Sequence, residues 1–85
     1  MNRKSIYKKL GLNIKKRRRE IGCTQEDLAE RIDKSLQFIG KIEIAFSKPS
    51  LDTIIDIAYA LNIKLKDLFD FDDGAKNRSS AEKCR

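Results

Sequence analysis

Gln37, Gly40, Lys41 and Ile44 fall at i, i+3, i+4 and i+7, so on a helix they share one face. One amide, one cation and one residue without a side chain in line suit the reading of base edges. An amide pairs bidentately with adenine, Lys donates to guanine, and Gly lets the backbone come close. Catalysis is not implied. The chain has no His, which removes the commonest general base and a common metal ligand. It also lacks a nucleophile–base pair, a phosphate-cradling Gly loop and a metal cluster, so no cofactor is expected. Cys23 and Cys84 are far apart and neither has a CxxC partner. They read as two reduced thiols of a cytosolic protein, with a metal site or a catalytic cysteine as the remote alternative.

Two short helical patterns, over residues 24–32 and 35–45, must position that face. Thr24 can N-cap the first, and Asp27 three residues on allows a weaker form of the capping box. Leu28, Ala29 and Ile32 supply its apolar stripe. The stretch Asp33-Lys34-Ser35 breaks the pattern: Asp tolerates the left-handed conformation a sharp turn needs, and Ser35 can cap the second helix. Ile39, Ile42 and Phe46 form the inward side of that second helix, opposite Gln37 and Lys41.

The rest of the chain is helical in period and modest in size. Its 85 residues, with one Pro and four Gly, are enough for one small all-α domain with one modest core and no internal repeat. A first helix is expected from Ser5 or Ile6 to Ile21, with Ile6, Leu10, Ile14 and Ile21 inward and Gly22 as its stop. Residues 1–4 read as frayed or as a basic arm. A fourth helix over residues 51–61 carries Leu51, Ile54, Ile55, Ala58 and Leu61, with Ser50 or Pro49 at its start and Asn62 closing it. A fifth, over residues 66–71, carries Leu68 and Phe69. The domain plan is residues 1–9 as arm and start of helix 1, 10–71 as the folded unit, and 72–85 as a polar, disordered tail.

Charge is placed unevenly. Residues 1–19 hold nine of the 19 Lys and Arg and none of the 13 acids, so the net +6 originates at the N-terminal end. A polyanion is the natural partner, a solvated helix face the plainer alternative. An anionic membrane surface fits less well because the stretch lacks a broad apolar face. No apolar run approaches the roughly 18 residues of a membrane span.

Taken together, Thr24-Gln25, Leu28-Ala29, Ser35, Ile39, Ile42-Glu43, Pro49 and Leu61 resemble the helix-turn-helix of Cro/cI-type (XRE-like) regulators, over about residues 10–69. The resemblance implies a compact five-helix, lambda-repressor-like domain that binds a pseudo-palindromic duplex operator as a homodimer and regulates transcription, most simply as a repressor. It implies contacts from Thr24, Gln25, Ser35, Leu36, Gln37, Phe38, Gly40, Lys41, Ser47 and Lys48. Gln25 would hold a phosphate and Gln37 would read a base. Leu36 could touch only a thymine methyl or a partner, and Phe38 is divided between a thymine and the rim of the core. In the family an Arg at the place of Arg18 pairs with the Glu at the place of Glu43; otherwise Arg18 is one more exposed cation. Arg17 departs from the family's apolar residue and is expected at the rim. Ala45 stands where the family usually has Gly, and Cys23 where it has an apolar residue. A dimer surface is expected from Leu65, Phe69 or Phe71 with Tyr59, while Leu68 enters the core. Three other roles stay open: an antitoxin-type autorepressor with a toxin partner, a controller of a restriction–modification operon, and a protein-interaction module without DNA binding.

Overall fold

Local chemistry sets where each helix begins. In the computed structural model, which describes residues 2–71, helix α1 spans Arg3–Glu20, α2 Gln25–Arg31, α3 Leu36–Glu43, α4 Leu51–Ala60 and α5 Leu65–Leu68. Asn2, Thr24, Ser35 and Ser50 cap the first four: each side-chain oxygen accepts from the backbone N–H three residues on. At α2 the box is complete, since Asp27 also accepts from the Thr24 N–H at 3.1 Å. Asn2 moves the start of α1 two or three residues ahead of the expected position, so the basic segment is helical from Arg3. At α5 the helix starts at Leu65, ahead of the expected 66, and stops at Leu68 rather than 71.

The same device ends four helices. Gly22, Asp33, Ala45 and Asn62 all have φ between 56° and 72°. The following N–H reaches back to a carbonyl five residues earlier: Cys23 to Arg18, Lys34 to Ala29, Phe46 to Lys41 and Ile63 to Ala58, at 2.8–3.0 Å. These are Schellman closures, which satisfy the orphan carbonyls of a helix end. Ala45 takes the left-handed role normally given to Gly, so α3 does not run on to Phe46.

The core is built from Leu10, Ile14, Cys23, Leu28, Ala29, Ile39, Ile42, Ile54, Ile57, Ala58, Leu61 and Leu68. Several expected members are displaced. Ile21 is half exposed because it is the residue that ends α1. Leu51, the first residue of α4, is exposed, and Ile57 replaces Ile55 on the buried stripe, which runs Ile54, Ile57, Ala58, Leu61. Phe46 lies beyond the turn at Ala45 and is 75% exposed. Ile32 is half-buried at the edge of the core.

One close approach fixes α3, and side-chain to backbone bonds tie the other helices together. A Cβ on Gly11 would lie 2.5 Å from the Glu43 carbonyl oxygen and 2.6 Å from that of Ile42, so α1 can lie against the end of α3 only because residue 11 has no side chain. Arg31 donates to the Ala60 carbonyl at 3.0 Å, joining α2 to α4. Asn13 donates to the Leu68 and Asp70 carbonyls at 2.9 and 3.2 Å, holding the end of α5 on α1.

Candidate nucleic-acid interface

Behind the recognition face lies a buried polar cluster. Arg18 Nε donates to Glu43 Oε2 at 2.7 Å and Nη2 to Oε1 at 3.2 Å, while Nη1 donates to the Cys23 carbonyl at 2.9 Å. Gln25 Nε2 adds a third donor to Glu43, 3.0 Å from Oε1. Arg18 and Glu43 are 7% and 4% exposed, and within the described residues no buried side-chain polar atom lacks a partner. The hydrogen bond with Glu43 raises the Arg18 pKa above its ordinary value, so the guanidinium stays charged in spite of burial. One carboxylate thus ties α1, the first residue of α2 and the last residue of α3 into a fixed angle.

In front of that cluster α3 presents Leu36, Gln37 and Lys41, and its C-cap presents Ile44, all exposed. Gly40 sits between them, and a Cβ there would meet only the Gln25 amide, at 3.9–4.0 Å. The Gln25 side chain is turned inward to Glu43, so its position at the start of α2 is fixed before any ligand arrives. Thr24 and Ser35 spend an acceptor lone pair on capping and keep an O–H to donate. Phe38 is half-buried against the core, with the Lys34 ammonium 5.3 Å from its ring centroid. On the far side of α3, the Ser47 N–H is engaged by the Lys41 carbonyl at 3.1 Å, and Lys48 is exposed above the Tyr7 ring at 5.8 Å. Lys41 leans over Phe46 at 5.9 Å. Composition alone does not reveal these three lysine–ring pairs, since each depends on a chain turn.

The residues expected at a dimer surface divide into two groups. Tyr59, 80% exposed, and Leu65 line one shallow apolar hollow with Ile55 and Ile63. Phe69 and Phe71 instead pack edge to face with each other at 6.1 Å, and Phe71 also leans on the core. Leu68 is fully buried. Arg17 sits at the rim, 3.4 Å from Glu20. Cys23 is a free, buried thiol, whereas Cys84 lies outside the described residues, as does the whole 72–85 tail.

The family model described as Helix-turn-helix matches residues 14–68, the span from the middle of α1 to the end of α5. The chain belongs to the helix-turn-helix family. This helix-turn-helix chain is 43% identical over 65 residues to an uncharacterized HTH-type transcriptional regulator of Methanothermobacter thermautotrophicus, covering 74% of this chain and 94% of the relative. It is 37% identical over 60 residues to a protein of the same description from Archaeoglobus fulgidus, covering 71% and 86%. Its fold is similar to the restriction-modification controller protein C.AhdI from Aeromonas hydrophila, with a TM-score of 0.74, 29% identity, and coverage of 76% of this chain and 98% of that one. It is therefore an all-α, non-enzymatic DNA-binding regulator of the Cro/cI type. Among the described residues no helix is long and apolar enough to cross a membrane.

Lys15 and Arg19 belong to the basic N-terminal segment, but nothing in the sequence singles them out from its other cations. Both line the same surface hollow as Thr24, Gln25 and Leu36. Their spacing of four puts them on one side of a helix, but the fold was needed to show what lies beside them.

Proposed function

We propose that the chain recognises a pseudo-palindromic operator as a homodimer, reading bases with the exposed face of α3, and represses the promoter it occupies. The observation that carries this reading is the division of α3. Ile39, Ile42 and Glu43 are buried against α1 and α2, which leaves Gln37, Gly40 and Lys41 outward on a helix held from behind. Gln37 is the base reader, bidentate to adenine; Lys41 reaches a guanine or a phosphate, and Gly40 allows close approach. Leu36 and the exposed edge of Phe38 meet thymine methyls. Thr24, Gln25 and Ser35 on one side, with Ser47 and Lys48 on the other, hold the two phosphate strands and set register. Repression asks for nothing beyond occupancy, since a domain seated in the groove excludes polymerase from the same DNA.

A second reading keeps the DNA contact and specifies the target: control of a restriction–modification operon. The likeness to the Aeromonas controller, which extends over nearly all of that chain, supports it. The experiment is a binding titration on DNA upstream of the chain's own gene, followed by transcription from that promoter in vitro. Retarded, competitor-resistant complexes with reduced transcript are expected. Increased transcript overturns repression, and binding no tighter than to random-sequence duplex overturns the operator reading.

A further inference from the structure

The recognition face uses α2, α3 and the loop after α3, yet the densest charge on the chain lies on α1. Lys4, Lys8, Lys15 and Arg19 recur at i, i+4, i+11 and i+15, which places them within an arc of about 60° on one side of a helix with 3.6 residues per turn. Lys4, Lys8 and Arg19 are exposed and Lys15 is half-buried. Among the described residues no ion pair engages any of the four; Arg17 and Arg18 of the same helix pair elsewhere, with Glu20 and Glu43. The stripe has defined ends. At one, Lys15 and Arg19 line the hollow that Thr24, Gln25, Glu26 and Leu36 also line, with neither cation in an ion pair with Glu26. At the other, Lys48 from the loop after α3 rests over the ring of Tyr7, the sequence neighbour of Lys8 on the first turns of α1. Both DNA-facing flanks of α3 are therefore joined by α1, over about 22 Å at 1.5 Å per residue.

We propose that this stripe is a second DNA-contacting surface, a rail that follows one phosphate strand beside the groove occupied by α3. The inference rests on the DNA-binding reading and extends it. A duplex presents a charge every ~1.7 Å of its axis, so a row of cations of this length, none held in an ion pair, finds several phosphates along one strand. The contact carries no base information; it raises affinity for all duplexes and steepens the salt dependence. An acidic protein segment is the competing occupant for such a stripe. DNA is favoured because both ends of the stripe run into the reading surface rather than away from it.

The test is fluorescence anisotropy of the full chain on a random-sequence duplex of about three turns, titrated across salt concentrations. Compared are the wild type, a variant with Lys4→Gln, Lys8→Gln, Lys15→Gln and Arg19→Gln, and a control with Lys64→Gln and Lys66→Gln, exposed cations at the start of α5. Each lost phosphate contact should flatten the slope of log K against log salt by about 0.9. The stripe variant is expected to lose at least two such steps, and the control none. The single variants Lys8→Gln and Arg19→Gln, each expected to lose about one step, keep the test alive if the quadruple variant unfolds. A wild-type slope retained by all stripe variants overturns the rail and leaves the operator reading intact. A stripe effect without preference for the chain's own upstream DNA supports the rail and overturns the operator reading. A wild type that binds no duplex overturns both.

Discussion

Glu43 is the residue on which the geometry of the reading surface converges, because three side-chain N–H groups from two other helices end on its carboxylate. Replacing it with Ala leaves the Arg18 guanidinium, 7% exposed, without its counter-charge, and frees the Gln25 amide. Breaking a buried pair by removing one partner costs about 3–5 kcal/mol, so Glu43→Ala should lower the melting temperature far more than an exposed change such as Glu30→Ala. Equal melting for the two variants would show that the pair does not hold the fold. On the outward face the consequence is selectivity rather than stability. Gln37→Ala should lose about 1–3 kcal/mol of discrimination at one base pair of the operator, whereas Lys48→Ala should weaken all duplexes alike. Competition binding against single-base operator variants checks this. An unchanged preference in Gln37→Ala would mean that another part of α3 reads the sequence.

The capping signals at the helix starts and the left-handed residues at their ends were largely legible in the chain, because both rest on local chemistry. Thr24 with Asp27, Ser35, Ser50, Gly22, Asp33 and Asn62 stand where their types suggest. The apolar stripe of α4 was less legible: with Ile54, Ile55 and Ile57 adjacent, periodicity admits two phases, and only packing against the other helices chooses Ile57. Phe46 was misplaced for a related reason, since one residue with positive φ just before it turns its ring out of the core. That residue supplies a test. An L-residue pays about 1–2 kcal/mol in the left-handed region, less the entropy Gly gives up, so Ala45→Gly should stabilise the fold by about 1 kcal/mol. Chemical denaturation measures it, and a loss of stability would mean that the turn is relaxed as it stands. The α2 capping box makes a pH prediction. The hydrogen bond from the Thr24 backbone N–H, then that with its side chain, hold the Asp27 carboxyl below its ordinary value. A depressed folded-state value contributes stability in full above the unfolded value of about 3.9, and the contribution is lost as pH falls through the folded one. The melting temperatures of wild type and Asp27→Asn should therefore differ at neutral pH and converge in acid. A gap that persists unchanged into acid would exclude the carboxylate as its source.

At the scale of the whole molecule, one domain is too small to select a site alone. A single short helix spans a few base pairs of groove, and a half-site of that length recurs throughout a genome. In the proposed homodimer, two copies related by a two-fold axis, with recognition helices about 34 Å apart on one face of the duplex, would supply the missing selectivity. The interior of the chain is already filled by residues from all five helices, Leu68 included, so a pairing surface for the proposed homodimer would draw on apolar groups left outside. Tyr59, Leu65, Ile55 and Ile63 gather around one shallow hollow at the junction of α4 and α5. Tyr59 is the most exposed of the large apolar side chains in the described residues, and an aromatic ring presented beside such a hollow suits self-complementary packing across a two-fold axis. Phe71 is a poorer probe of that surface, because part of its ring closes the core and a charge there would disturb the fold as well. Tyr59→Asp touches neither the core nor α3, and should leave the melting of the isolated chain close to that of the wild type while abolishing the dimer. Sedimentation equilibrium at micromolar concentration, with and without a palindromic duplex, is the measurement. Wild type is expected as a dimer on DNA and Tyr59→Asp as a monomer with weakened operator binding. A Tyr59→Asp chain that dimerises normally would move the interface elsewhere. A wild type that stays monomeric on palindromic DNA would remove the two-fold arrangement altogether.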